Sequence, residues 1–102
     1  MAPQLVDALI GAASAKAYLG ELFDALNYAN KAVRNCPDSP TAYKIRAQLL
    51  NATGSHTDGI RDINKAIDLA TNNTTTAEQY SERPEDLYSI RAQMYSDSKQ
   101  EK

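Results

Sequence analysis

Few residues in this chain have the side chains that chemistry requires. His56 is the only histidine and Cys36 the only cysteine. A paired thiolate and imidazole would make a nucleophile and its base, but nothing in the spacing of these two supports a pair. His56 stands beside a turn between Ser55 and Thr57, where a capping or surface role is expected rather than base catalysis. Cys36 precedes Pro37 at a helix end, the setting of an inert packed thiol. The carboxylates Asp58, Asp62 and Asp68 read as solvated helix faces. No His/Cys cluster has metal-ligand spacing and no glycine-rich phosphate loop occurs. Neither an enzyme nor a cofactor- or metal-binding protein is expected.

Arg46 and Arg91 are the remaining candidates. Each follows Ile and precedes Ala-Gln, within Tyr43-Lys44-Ile45-Arg46-Ala47-Gln48 and Tyr88-Ser89-Ile90-Arg91-Ala92-Gln93. They suit either an acidic ligand or an ion pair between helices.

The 102 residues suit one domain. With Lys+Arg 11 against Asp+Glu 13 the net charge is -2, so no general attraction to nucleic acid or anionic lipid follows. Apolar runs such as Ala8 to Ile10 fall far short of the roughly 20 residues that span a bilayer. The first residues lack the basic and apolar regions of a signal peptide. With the lone cysteine, these features point to the cytoplasm.

Helical spacing dominates the pattern. Leu5, Ala8, Leu9, Ala12 and Ala13 begin a helix that ends at Gly20, which suits a left-handed cap. A second helix runs from Leu22 to about Asn35, through Ala25, Leu26, Ala29, Ala32 and Val33, and stops before Pro37. Ser39 as N-cap and Pro40 at the first position open a third, which continues to about Thr53. Ser55 and Asp58 form a capping-box-like start for a fourth, through Ile60, Ile63, Ala66 and Ile67, which frays near Ala70. Residues 71–82, rich in Thr and Asn, read as an exposed loop. A fifth helix covers about Pro84 to Asp97, and 98–102 form a polar, disordered tail.

These helices repeat at a spacing of 34 residues. Ala8, Ala13, Gly20, Asp24, Asn30, Lys31 and Ala32 recur as Ala42, Ala47, Gly54, Asp58, Asn64, Lys65 and Ala66, while Gly59 answers Ala25. The third and fifth helices echo each other at 45, one repeat plus 11 inserted residues. Small side chains at fixed offsets permit close helix crossings, with Tyr43, Leu50 and Ile63 filling the gaps between them. Helix pairs of this kind bury their apolar faces only by stacking.

The pattern resembles the tetratricopeptide repeat. Unit one matches it through Ala13, Gly20, Ala25, Ala32 and Pro37; unit two matches through Tyr43, Ala47, Gly54, Gly59, Ile63 and Ala66, with Thr71 in place of the closing proline. Leu9 and Lys16 depart from the usual aromatic sites. The resemblance implies an all-α fold: a short right-handed superhelical array of antiparallel helix pairs, two repeats plus a C-terminal capping helix, five helices in all. The domain would cover 1–97, with repeat one at about 5–38, repeat two at 39–72, an inserted loop at 71–82 and the capping helix at 84–97.

In that family the first helix of each unit lines a concave groove that binds another protein or peptide. Here the groove stripe would comprise Asp7, Ile10, Ser14 and Tyr18, then Thr41, Lys44, Gln48 and Asn51, then Asp86, Ser89, Gln93 and Asp97, an amide-rich surface around Lys44. Family co-chaperones clamp the carboxylates of chaperone tails with Lys, Asn, Asn, Lys and Arg. The corresponding positions here are Ile10, Ser14, Ile45, Asp86 and Ile90, so a chaperone tail is not the expected ligand. The same geometry implies an Arg46–Asp62 pair pinning two helices, and leaves Arg91 free for a ligand or a second molecule. The expected function is a non-enzymatic scaffold or adaptor without nucleic-acid or membrane partners. The alternative is an assembly element, self-associating as a homodimer through Met94 and Tyr95 of the C-terminal helix, or part of a longer array.

Overall fold

Glycine and proline set the helix boundaries. The computed structural model describes residues 3–72 and 82–100. Among them are five helices and no strand: α1 (Pro3–Tyr18), α2 (Leu22–Asn35), α3 (Pro40–Ala52), α4 (His56–Asn72) and α5 (Pro84–Gln100). The fold is all-α. Gly20 and Gly54 have φ of 82° and 92°, values at which a Cβ would be strained. Their turns are copies of each other. Glu21 N–H donates to Lys16 O at 2.9 Å and Gly20 N–H to Ala17 O at 3.0 Å, while Ser55 N–H donates to Leu50 O at 2.8 Å and Gly54 N–H to Asn51 O at 3.1 Å. This bond pair satisfies the carbonyls that a helix end leaves open.

Ser39 caps α3 as expected, its Oγ accepting from Ala42 N–H at 3.1 Å, with Pro40 in the first turn. Three boundaries differ from the sequence reading, the first being the start of α1 at Pro3 and not Leu5. α4 does not fray at Ala70 but continues to Asn72, because Ala70 is buried in the core and Thr71 Oγ1 donates back to Ile67 O at 2.8 Å. α5 likewise continues to Gln100, so Ser98, Lys99 and Gln100 are helical. Gln93 Nε2 donates to Asp97 Oδ1, one turn on, at 2.9 Å, and lysine and glutamine are good helix formers. Most of the expected loop, residues 73–81, lies outside the described residues.

Each helix packs on the next, and α3 also meets α1 and α5. The odd-numbered helices therefore adjoin one another, with α2 and α4 behind them. Ala13, Ala25, Ala32, Ala47 and Ala66 are all fully buried, as crossing positions should be. Gly59, the counterpart of Ala25, is a close crossing as well. A Cβ built there would lie 2.8 Å from Met94 Cε, 3.0 Å from Ala47 O and 3.4 Å from Asn51 N. α4 thus touches the α3 backbone while the Met94 methyl fills the space a side chain would take. Met94 was expected at an exposed interface; it is instead 2% exposed, drawn inward by the opening at Gly59.

Gly59→Ala is expected to push α4 from α3 and lower stability by about 1 to 3 kcal/mol despite alanine's better helix propensity, and Ala66→Leu to cost a similar amount. Urea midpoints would measure both, and an unchanged midpoint for Gly59→Ala would contradict the close approach.

Candidate functional site

Arg46 is the polar centre of the helix stack. From α3 its Nε and Nη2 donate to Asp62 Oδ2 and Oδ1 on α4 at 2.6 and 2.9 Å, and Nη1 donates to Asn30 Oδ1 on α2 at 3.4 Å. The guanidinium also stands 5.6 Å from the centre of the Tyr43 ring. Hydrogen bonding to Asp62 raises its pKa further, against the opposing effect of burial. The bidentate geometry uses the guanidinium fork, so lysine would not substitute. The expected pair thus forms, within a polar cavity of about 300 Å³ lined by Leu26, Asn30, Leu50, Asp58 and Arg61 besides the pair itself.

Arg91 was expected to be free. It is not: Nη1 donates to Asn64 Oδ1 on α4 at 2.8 Å, and the guanidinium lies 5.2 Å from the Tyr88 ring centre. Asn64 is the 34-residue counterpart of Asn30, so Arg91 repeats the inner half of the Arg46 arrangement. Asp62→Asn is expected to lower stability by about 1 to 3 kcal/mol, because it leaves a half-buried guanidinium without its anion. Chemical denaturation checks this, and Arg46→Met combined with Asp62→Leu should recover part of the loss.

On the face made by α3 and α5 the chain satisfies its own polar groups. Lys44 Nζ pairs with Glu82 at 2.9 Å, and Thr41 Oγ1 donates to the same Glu82 oxygen at 2.7 Å. Lys44 is therefore committed to an internal carboxylate, and Glu82, expected in an exposed loop, has a side chain only 8% exposed. Asn51 also turns inward. Its Nδ2 donates to Asp97 Oδ2 at 2.9 Å, and its Oδ1 lies 2.5 Å from His56 Nδ1. Asp7, Asp86, Ser89 and Gln93 are exposed, with Ser89 Oγ donating to Glu85 O and Gln93 donating to Asp97.

Hydrogen bonds from Asn51 and then Gln93 hold the Asp97 pKa below the ordinary aspartate range. A depressed pKa means the carboxylate stabilises the fold above its unfolded-state pKa, and that contribution is lost as pH falls through the folded value. Between about pH 6 and about pH 3 the urea midpoint of the parent chain should fall more than that of Asp97→Asn. Equal falls would show that the contact does not favour the ionised form.

A different part of the same surface is open. Between α1 and α3 lies a cavity of about 440 Å³ lined by Ala13, Ser14, Ala17, Tyr18, Ile45, Gln48, Leu49 and Ala52. Ser14, Tyr18 and Gln48 belong to the groove stripe expected from sequence. The apolar lining does not, although the small residues from Gly11 to Ala17, broken only by Lys16, were its signal: their side chains are too short to fill the space between helices. Tyr18 is 92% exposed at the cavity's edge, and Leu19 and Phe23 stand exposed at the adjoining turn.

Cys36 is buried with Val6, Ala32, Val33 and Ala42, in keeping with a packed thiol. Among the described residues no group of three or more His, Cys, Asp or Glu side chains is placed to hold a metal ion. No described helix is long and apolar enough to cross a membrane. No protein-family model matches the chain, and neither does any curated protein.

Proposed function

We propose that this chain is a non-enzymatic protein-interaction module, a short tetratricopeptide-like array of helix pairs that holds a segment of another protein between α1 and α3. The observation that carries the reading is the open apolar cavity of about 440 Å³, within the roughly 300 to 1,000 Å³ typical of ligand sites. Apolar walls from Ala13, Ala17, Ile45 and Leu49 suit an aliphatic or aromatic anchor. Ser14 and Gln48 supply hydrogen bonds at the rim, and Tyr18 offers a broad ring at small entropic cost. The favoured partner is an amphipathic helix or short peptide with one or two large apolar side chains.

A chaperone-tail carboxylate does not fit this reading, because Lys44 is held by Glu82 and the cavity has no basic lining residue. Nucleic acid fits no better, given the net charge of -2. Cytoplasmic residence belongs to the same reading and rests on the free thiol of Cys36.

Peptides selected from a displayed library on the parent chain should lose about tenfold or more in affinity for Ala17→Glu, which places a charge in the cavity, and for Tyr18→Ala. Ser89→Ala, outside the cavity, should bind them unchanged. Circular dichroism confirms the fold of each variant, and binding indifferent to Ala17→Glu and Tyr18→Ala would overturn the reading.

A further inference from the structure

Helix α3 is an occupied helix seat, covered by α4, and α5, 45 residues on, carries matching parts that no described helix covers in the same way. In the occupied one, Ala47 of α3 lies against Gly59 of α4, Tyr43 packs on the core around it, Leu50 lines the cavity with Asp62, and Arg46 binds Asn30 on α2 and Asp62 on α4. The matching residues on α5 are Tyr88, Arg91, Ala92 and Tyr95, and Asn64 of α4 takes the role of Asn30. Arg91 has the Asn bond and the tyrosine ring contact of Arg46. It differs in having no carboxylate partner among the described residues.

Exposure follows the same division. Ala47 is fully buried, whereas Ala92 is exposed, with Tyr88 and Tyr95 exposed beside it at 45% and 47%. α5 thus carries a small residue suited to a close crossing, two aromatic flanks and a cation already oriented from behind. Such a face lacks what Gly59 and Asp62 supply to α3.

We propose that this face of α5 docks an amphipathic helix of a partner protein, with a small residue packed on Ala92 and an aspartate three positions later paired with Arg91. The occupied seat specifies the occupant: Gly59, Asp62, Ile63 and Ala66 of α4 give a small-x-x-Asp-Ile-x-x-Ala pattern on one helix face. Charge complementarity selects aspartate, since a bidentate carboxylate completes the Arg91 fork as Asp62 completes that of Arg46. The seat is separate from the cavity between α1 and α3 and does not depend on the function proposed for it.

A synthetic peptide with the sequence of residues 55–72 is the probe, titrated into the isotopically labelled full chain and followed by nuclear magnetic resonance. Saturable shifts on Tyr88, Ala92 and Tyr95 are expected, with affinity falling about tenfold or more when the peptide aspartate matching Asp62 becomes asparagine. The chain variants Arg91→Gln and Ala92→Glu should show the same loss; Ala92 is exposed and Arg91 half-buried, and their unchanged circular dichroism would show that the fold persists. Failure to bind at millimolar peptide would overturn the proposal. Binding indifferent to both variants would also overturn it, as exchange with the chain's own α4 would give. Sedimentation of the chain alone supplies the last arm: a dimer dissolved by Ala92→Glu would assign the seat to a second copy and overturn the partner-helix reading.

Discussion

The missing side chain of Gly59 is the constraint on which the stack depends. Helix α4 reaches the backbone of α3 only because nothing projects from Gly59 toward Ala47 O, and the remaining space is taken by the methyl of Met94 from α5. Three helices therefore meet at a residue that contributes no side-chain contact of its own. Ile63, Ala66, Ile67 and Leu87 fill out the core around this point, and their packing requires the short interhelical distance that glycine allows. Dispersion and apolar burial act where helices are already close, so the smallest residue has the largest structural consequence.

Close approach also creates the polar problem that Arg46 solves. Bringing α2, α3 and α4 together places Asn30 and Arg46 half-buried beside the buried Asp62, where a carboxylate without a partner would be costly. The fork of Arg46 satisfies both Asp62 oxygens and reaches Asn30. A similar economy operates on the other face, where Glu82 takes both Lys44 and Thr41 and Asp97 takes Asn51. Lys44, Thr41 and Asn51 are consequently held by internal partners, and among the described residues an open apolar cavity lies between α1 and α3, where the α1 side chains are small.

Much of this was legible in the sequence. Gly20 and Gly54 announced the two identical turns, Ser39 and Pro40 the start of α3, and the recurring alanines the crossing positions, because each depends on backbone conformation or side-chain volume within a few residues. The Arg46–Asp62 pair was accessible for a similar reason, once repeat register placed the two on facing helices. Less legible were the partners of Lys44, Asn51 and Arg91. Glu82 and Asp97 are distant in sequence and answer no repeat position named above, while Asn64 answers Asn30 only once the 11-residue insertion is allowed for. The burial of Met94 is not legible in its own helix, because it depends on a gap in another.

The sequence by itself determined the helices, their ends and the small-residue crossings, since these follow from local φ preferences, hydrogen-bond capping and volume patterns carried by neighbouring residues. The tertiary structure decided which polar side chains remain available. That choice rests on a competition between internal and external partners, and it is settled by distances of about 3 Å between residues that the linear pattern does not connect. Lys44 loses its expected freedom to Glu82, Arg91 gains an internal partner in Asn64, and Ala13, Ser14 and Ala17 become one wall of a cavity only when Ile45 and Leu49 face them.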